Sequence, residues 1–107
     1  MKPGAWTGRV TVPGGSGTVS LTVGPSGRIV QVFQADIRCP TGGGGGYRVG
    51  PGKVGEFIAA NGSFADANLP GGFSGRFARG DTLTGTVRGG LAQGCGAASY
   101  RFTAHPA

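Results

Sequence analysis

The chain has 107 residues, a net charge of +6 and 25 glycines, a length that holds one core and reads as a single domain over 1–107. Glycine far above its usual share of about 7% raises collagen and disorder. No every-third-residue period runs through the chain, and alternating apolar runs with aromatics recur throughout, which excludes both.

Helix signals are almost absent, because glycine or proline interrupts nearly every ten-residue window. Trp6, Gly8, Val10 and Val12 alternate with Thr7, Arg9 and Thr11, the period of a half-buried strand. Pro13 to Gly17 predicts a turn, then Val19, Leu21 and Val23 share one face before a second turn at Gly24-Pro25-Ser26-Gly27. In the long run Arg28 to Cys39, Ile29, Phe33, Ala35, Ile37 and Cys39 hold one parity while Val30 and Val32 hold the other. Such a strand is buried on both faces near its start, or carries a bulge there.

Pro40 and the five glycines 42–46 predict a flexible loop, followed by a short strand at Tyr47 and Val49 and a turn at Gly50-Pro51-Gly52. Val54 to Ala60 leads into Asn61-Gly62, a two-residue hairpin signal, with Phe64 on the return strand. After Leu69-Pro70-Gly71-Gly72, the inward sets are Phe73, Gly75 and Phe77, then Leu83, Gly85 and Val87, then Ala98, Tyr100, Phe102 and Ala104. About eight short strands at this spacing predict an all-β antiparallel β-sandwich, jelly-roll-like, or a flattened barrel. Interior glycines such as Gly8, Gly75 and Gly85 leave room for aromatic rings or mark sharp bends.

Cys39 and Cys95 belong to no C-x-x-C pair, so a zinc site on them lacks nearby ligands. A disulfide between them closes a long loop, contributes roughly 4 kcal/mol in the chain-entropy model, and implies an oxidising compartment. The alternative is two buried thiols in a reduced protein.

Catalysis is poorly served. The single histidine, His105, is the third residue from the C-terminus, where chains fray, and only Asp36, Glu56, Asp66 and Asp81 supply carboxylates. No G-x-S-x-G elbow occurs, and Gly50 to Gly55 matches G-x-G-x-x-G by chance, without a helix to receive a phosphate. The chain therefore reads as no enzyme, with no cofactor and no metal; Asn61, Asp66 and Asn68 offer calcium too few carboxylates. Asn61-Gly62-Ser63 fits a glycosylation sequon, but the hairpin already accounts for it.

Thr7, Arg9, Thr11, Arg76, Thr82, Thr84, Thr86, Arg88, Arg101 and Thr103 all point away from the inferred core. If their strands are neighbours, they form a threonine and arginine face that can hold an anionic glycan or phosphate-bearing polymer through arginine forks. The bland reading is that threonine suits exposed strands and arginine keeps edges soluble. The ligand-binding candidates are Arg9, Arg76, Arg88, Arg101, Thr84 and Thr86, with Tyr47 and Arg48 from the glycine loop. Nucleic acid is disfavoured, because the other aromatics share parity with the aliphatic core, opposite the arginines. The basic residues stand singly and no apolar stretch approaches the roughly 18 residues of a membrane helix, so no membrane insertion is expected.

Trp6-Thr7-Gly8, the strand ending at Cys39, Asn61-Gly62-Ser63-Phe64, Phe73-Ser74-Gly75-Arg76-Phe77, Leu83-Thr84-Gly85-Thr86-Val87, Cys95 and Phe102-Thr103-Ala104 resemble small glycine-rich secreted bacterial β-sandwich domains. That resemblance covers most of the chain and implies the fold and export, while transferring no site. Met1-Lys2-Pro3-Gly4 enters a strand-like segment directly and does not read as a signal peptide, so the expectation is either a cytosolic or virion-associated protein or a mature form with an added start methionine. The expectation is a non-catalytic extracellular or cell-surface binding or adhesion module for anionic envelope glycans. The alternative is a structural, homo-oligomeric surface, filament or virion-decoration subunit.

Overall fold

The chain folds back on itself repeatedly, so that its strands find antiparallel partners. The computed structural model describes residues 1–49, 56–65, 72–88 and 99–107. Its strands are β1 (Gly4–Val10), β2 (Ser16–Val23), β3 (Ile29–Arg38), β4 (Gly44–Val49), β5 (Glu56–Phe57), β6 (Ser63–Ala65), β7 (Phe73–Ala78), β8 (Thr82–Arg88) and β9 (Ser99–Pro106). Eight of them form one continuous antiparallel path, β4-β3-β2-β1-β9-β8-β7-β6, while β5 pairs with the start of β3. The sheet curls into a half-barrel. The all-β reading holds, and the connectivity is that of two meanders joined through β1 and β9, without the crossings of a jelly roll.

The concave face carries the core. Trp6, Val10, Val19, Leu21, Val23, Phe33, Ala35, Ile37, Phe64, Phe73, Phe77, Leu83, Val87, Tyr100, Phe102 and Ala104 are all buried, as the alternation in each strand requires. The two meanders meet ring to ring. Phe33 of β3 stacks on Phe73 of β7 with centroids 4.0 Å apart and planes within 8°, and Trp6 meets Phe77 edge-on at 4.9 Å. Each such pair contributes about 0.5–1.5 kcal/mol beyond the area it buries. The Trp6 indole N–H donates to the Lys2 carbonyl at 2.9 Å, so its burial leaves no orphan donor.

The parity change in β3 is a bulge. Thr22 pairs with Val32 but Val23 pairs with Val30, so Gln31 is the extra residue and both Val30 and Phe33 reach the core.

Three expectations are corrected. Of the glycines 42–46, those from Gly44 onward belong to β4, paired residue by residue with Arg38, Ile37 and Asp36. A strand forms there because β3 supplies the ladder, overriding glycine's weak propensity. The Asn61-Gly62 hairpin has a three-residue turn. Ala59 N–H donates to Ser63 O, Gly62 N–H donates to Ala59 O, and only Gly62 stands at positive φ (+88°). That is a type I turn closed by a glycine bulge, a geometry that asks less of Asn61 than a mirror-image turn does. His105 does not fray: it pairs with Thr7 inside β9, and Ala107 N–H donates to Ala5 O at 2.9 Å.

The curl is set where side chains are missing. One concave row runs Phe64, Gly75, Gly85, Phe102 across β6, β7, β8 and β9. A Cβ at Gly85 would stand 2.7 Å from the Phe102 ring and collide with the Ser74 carbonyl, and one at Gly75 would stand 2.9 Å from the Phe64 ring. Gly85→Ala is therefore expected to destabilise the chain by about 1–3 kcal/mol through overpacking. Equilibrium urea unfolding measures this, and an unchanged midpoint would show that the rings do not need that space.

Candidate functional site

On the convex face the same alternation leaves threonine, serine and arginine. Whether they form a site depends on strand order, and β1, β9, β8 and β7 are consecutive neighbours. The pairings Arg9–Thr103, Thr103–Thr84, Thr84–Arg76 and Arg76–Ser63 make one transverse row. The pairings Arg101–Thr86 and Thr86–Ser74 make the next, and Thr11 N–H donates to the Arg101 carbonyl at its other end. Arg88 pairs with Ser99 one row further on. Arg9, Arg76, Arg88, Arg101, Thr84 and Thr103 are exposed, and Thr86 is half-buried.

The register thus assembles six of the sequence-derived candidates: Arg9, Arg76, Arg88, Arg101, Thr84 and Thr86. It separates the other two. Arg48 lies on β4, with β3 and β2 between it and β1, and its guanidinium donates to Gln34 Oε1 at 2.8 Å. Tyr47, expected in a glycine loop, is a β4 residue paired with Ala35; its side chain lies outside the described residues.

The four central arginines differ in how they are held. Arg76 Nε donates to the Asn61 carbonyl at 3.3 Å, which draws that side chain toward the β5–β6 turn. Arg88 is held by a contact of its own. The side chains of Arg9 and Arg101 are exposed and make no hydrogen bond or ion pair among the described residues. Beyond Arg101 in its row, Ser74 Oγ and Thr86 Oγ1 lie 3.2 Å apart. A shallow depression over Gly85 is lined by Thr84, Thr86, Arg101, Phe102 and Thr103. A second, of about 590 Å3, brings Arg9, Thr11, Ser16 and Thr18 together with Asp36 and Arg38 beside the β1–β2 turn.

Sequence reasoning missed Arg38 and Ser16. Both have outward parity, Ser16 on β2 and Arg38 on β3, and they line one depression with Arg9 only once β3, β2 and β1 are placed side by side.

His105 Nδ1 lies 3.2 Å from the carbonyl oxygen of Asp81, a turn residue at φ +55°. Among the described residues no three His, Cys, Asp or Glu side chains gather as metal ligands. Asp66 and Asn68 lie outside the described residues, as does Cys95. Cys39 sits half-buried just after β3, where its N–H donates to Gly43 O and its carbonyl accepts from Gly42 N–H.

No protein-family model, curated protein or solved structure matches this chain.

Proposed function

We propose that the chain is a non-catalytic binding module acting outside the cell, and that the face of β1, β9, β8 and β7 takes an anionic envelope polysaccharide. The observation that supports this reading is the side-by-side order of those strands, with Arg9 and Arg76 on either side of Thr103 and Thr84 in one row. Strands stand about 4.8 Å apart, so the two arginine Cα atoms are roughly 14 Å apart along the row. Arg101 and Thr86 stand about 7 Å away in the next row.

Guanidinium groups grip carboxylate, sulfate or phosphate through paired N–H donors. The threonine and serine hydroxyls between them suit the hydroxyls of a sugar backbone. A net charge of +6 draws such a polymer in from a distance. On an exposed convex face the attraction is screened by salt, so binding is of moderate strength and reversible. A Cys39–Cys95 disulfide belongs to the same proposal, since it suits an exported domain whose core is short of leucine.

Retention on a column of immobilised anionic polysaccharide tests the reading. The native chain is expected to bind at low salt and to elute as ionic strength rises. Arg101→Ala should weaken binding about tenfold, the loss of one charged hydrogen-bonding group. Arg28→Ala, which removes the same charge from the β2–β3 turn, should leave binding nearly unchanged. Equal loss in both variants, or no retention of the native chain, would count against a site on this face. For the disulfide, intact mass before and after reduction should differ by two hydrogen atoms, and equal masses would refute it.

A further inference from the structure

We propose that two copies of this chain pair through the open edge of β4, antiparallel and centred on Tyr47, with Arg48 of each copy reaching Asp36 of the other. This inference does not rest on the polysaccharide reading, because the β4 edge carries none of the arginines proposed to hold the polymer.

The edge is defined by backbone geometry. Among the described residues β4 pairs only with β3 on one side. Cys39 N–H donates to the Gly43 carbonyl at the start of this ladder. Antiparallel pairs alternate between exchanging hydrogen bonds and not doing so. Gly45 and Tyr47 therefore turn their N–H and C=O groups toward β3, while Gly44, Gly46 and Arg48 turn theirs to the open edge. An edge of this kind is a template for another strand, and neither proline nor a bulge guards it.

The side chains choose a register. Asp36 pairs with Gly46, and its Oδ1 fills the space a Cβ there would need, 2.7 Å from that position. The carboxylate thus leans over Gly46 toward the edge, while Gln34 Nε2 donates to its other oxygen at 3.1 Å. Arg48 stands on the same face, two residues along β4, against Gln34.

In a twofold pair centred on Tyr47, Gly46 of one copy lies opposite Arg48 of the other, and both residues offer outward N–H and C=O groups. The partner's Asp36 is then one strand beyond Gly46, about 10 Å from the Arg48 Cα across a residue with no side chain. Each copy supplies one arginine and one aspartate, so the contact is made twice. A register centred on Gly46 instead brings the two leaning carboxylates face to face, and like charges there oppose it. Charge complementarity thus selects a second copy as occupant, in one register.

Sedimentation equilibrium of the full chain tests this. The native protein should show twice the 10.6 kDa chain mass at high concentration and dissociate on dilution. Gly46→Pro removes an edge donor that no β3–β4 bond uses, and should yield a monomer with unchanged circular dichroism. Arg48→Asp alone should also yield a monomer, and adding Asp36→Arg should restore the dimer. A native chain that stays monomeric, a dimer that survives Gly46→Pro, or a double variant that fails to re-pair while folded would each overturn the proposal.

Discussion

A curled sheet of this size must fit aromatic rings against a concave surface whose own Cβ atoms point inward, and two glycines resolve the conflict. Phe64 and Phe102 flank Gly75 and Gly85 in one row across four strands, and the rings lie over the backbone of the glycines. Two absent side chains between two large ones let the C-terminal meander bend tightly enough to bring Phe73 against Phe33 of the other meander. From that contact follow the burial of Trp6 against Phe77 and the closeness of the two halves. The same bend displays the outward residues as a convex surface, which sets what kind of partner the molecule can meet. A convex face of short hydroxyls and long guanidiniums suits an extended polymer laid across it, where a small ligand would want a pocket.

The glycines divide into two uses with opposite consequences. Those under rings are fixed by packing and leave little room for substitution. Those of β4 are placed by their pairing with β3: at Gly44 a Cβ would collide with the Ile37 carbonyl, and at Gly46 the Asp36 carboxylate occupies the space. One group makes the core and the other forms the last strand of the described sheet path.

Much of this was legible in the sequence because strand alternation is local. Every residue assigned inward in β1, β2, β7, β8 and β9 is buried or is a glycine on that face, while Ala98 lies outside the described residues. The shift of parity at Val30 and Val32 announced the bulge before the register did. What alternation cannot supply is order across the sheet. That Arg9 lies beside Thr103, and that Arg48 lies far from both, depends on β1 pairing with β9 and on β4 lying at the other end. The glycines of β4 misled for a related reason. Their intrinsic preference is for a loop, and only the neighbouring strand makes them a ladder. His105 was misjudged in the same way, by its nearness to the end of the chain rather than by its partner Thr7.

The pairing of β1 with β9 has a consequence for how the molecule comes to exist. Each meander is built from local hairpins and can form early, but the seam between them joins residues 4–10 to residues 99–106. During synthesis the inner edge of β1 stays open until nearly the whole domain has emerged, and closing so long a loop is the slow kind of step. The nascent protein therefore carries a sticky strand in the middle of its future sheet for most of its manufacture. A helper that shields residues 4–10 in that interval would raise yield without touching the finished fold.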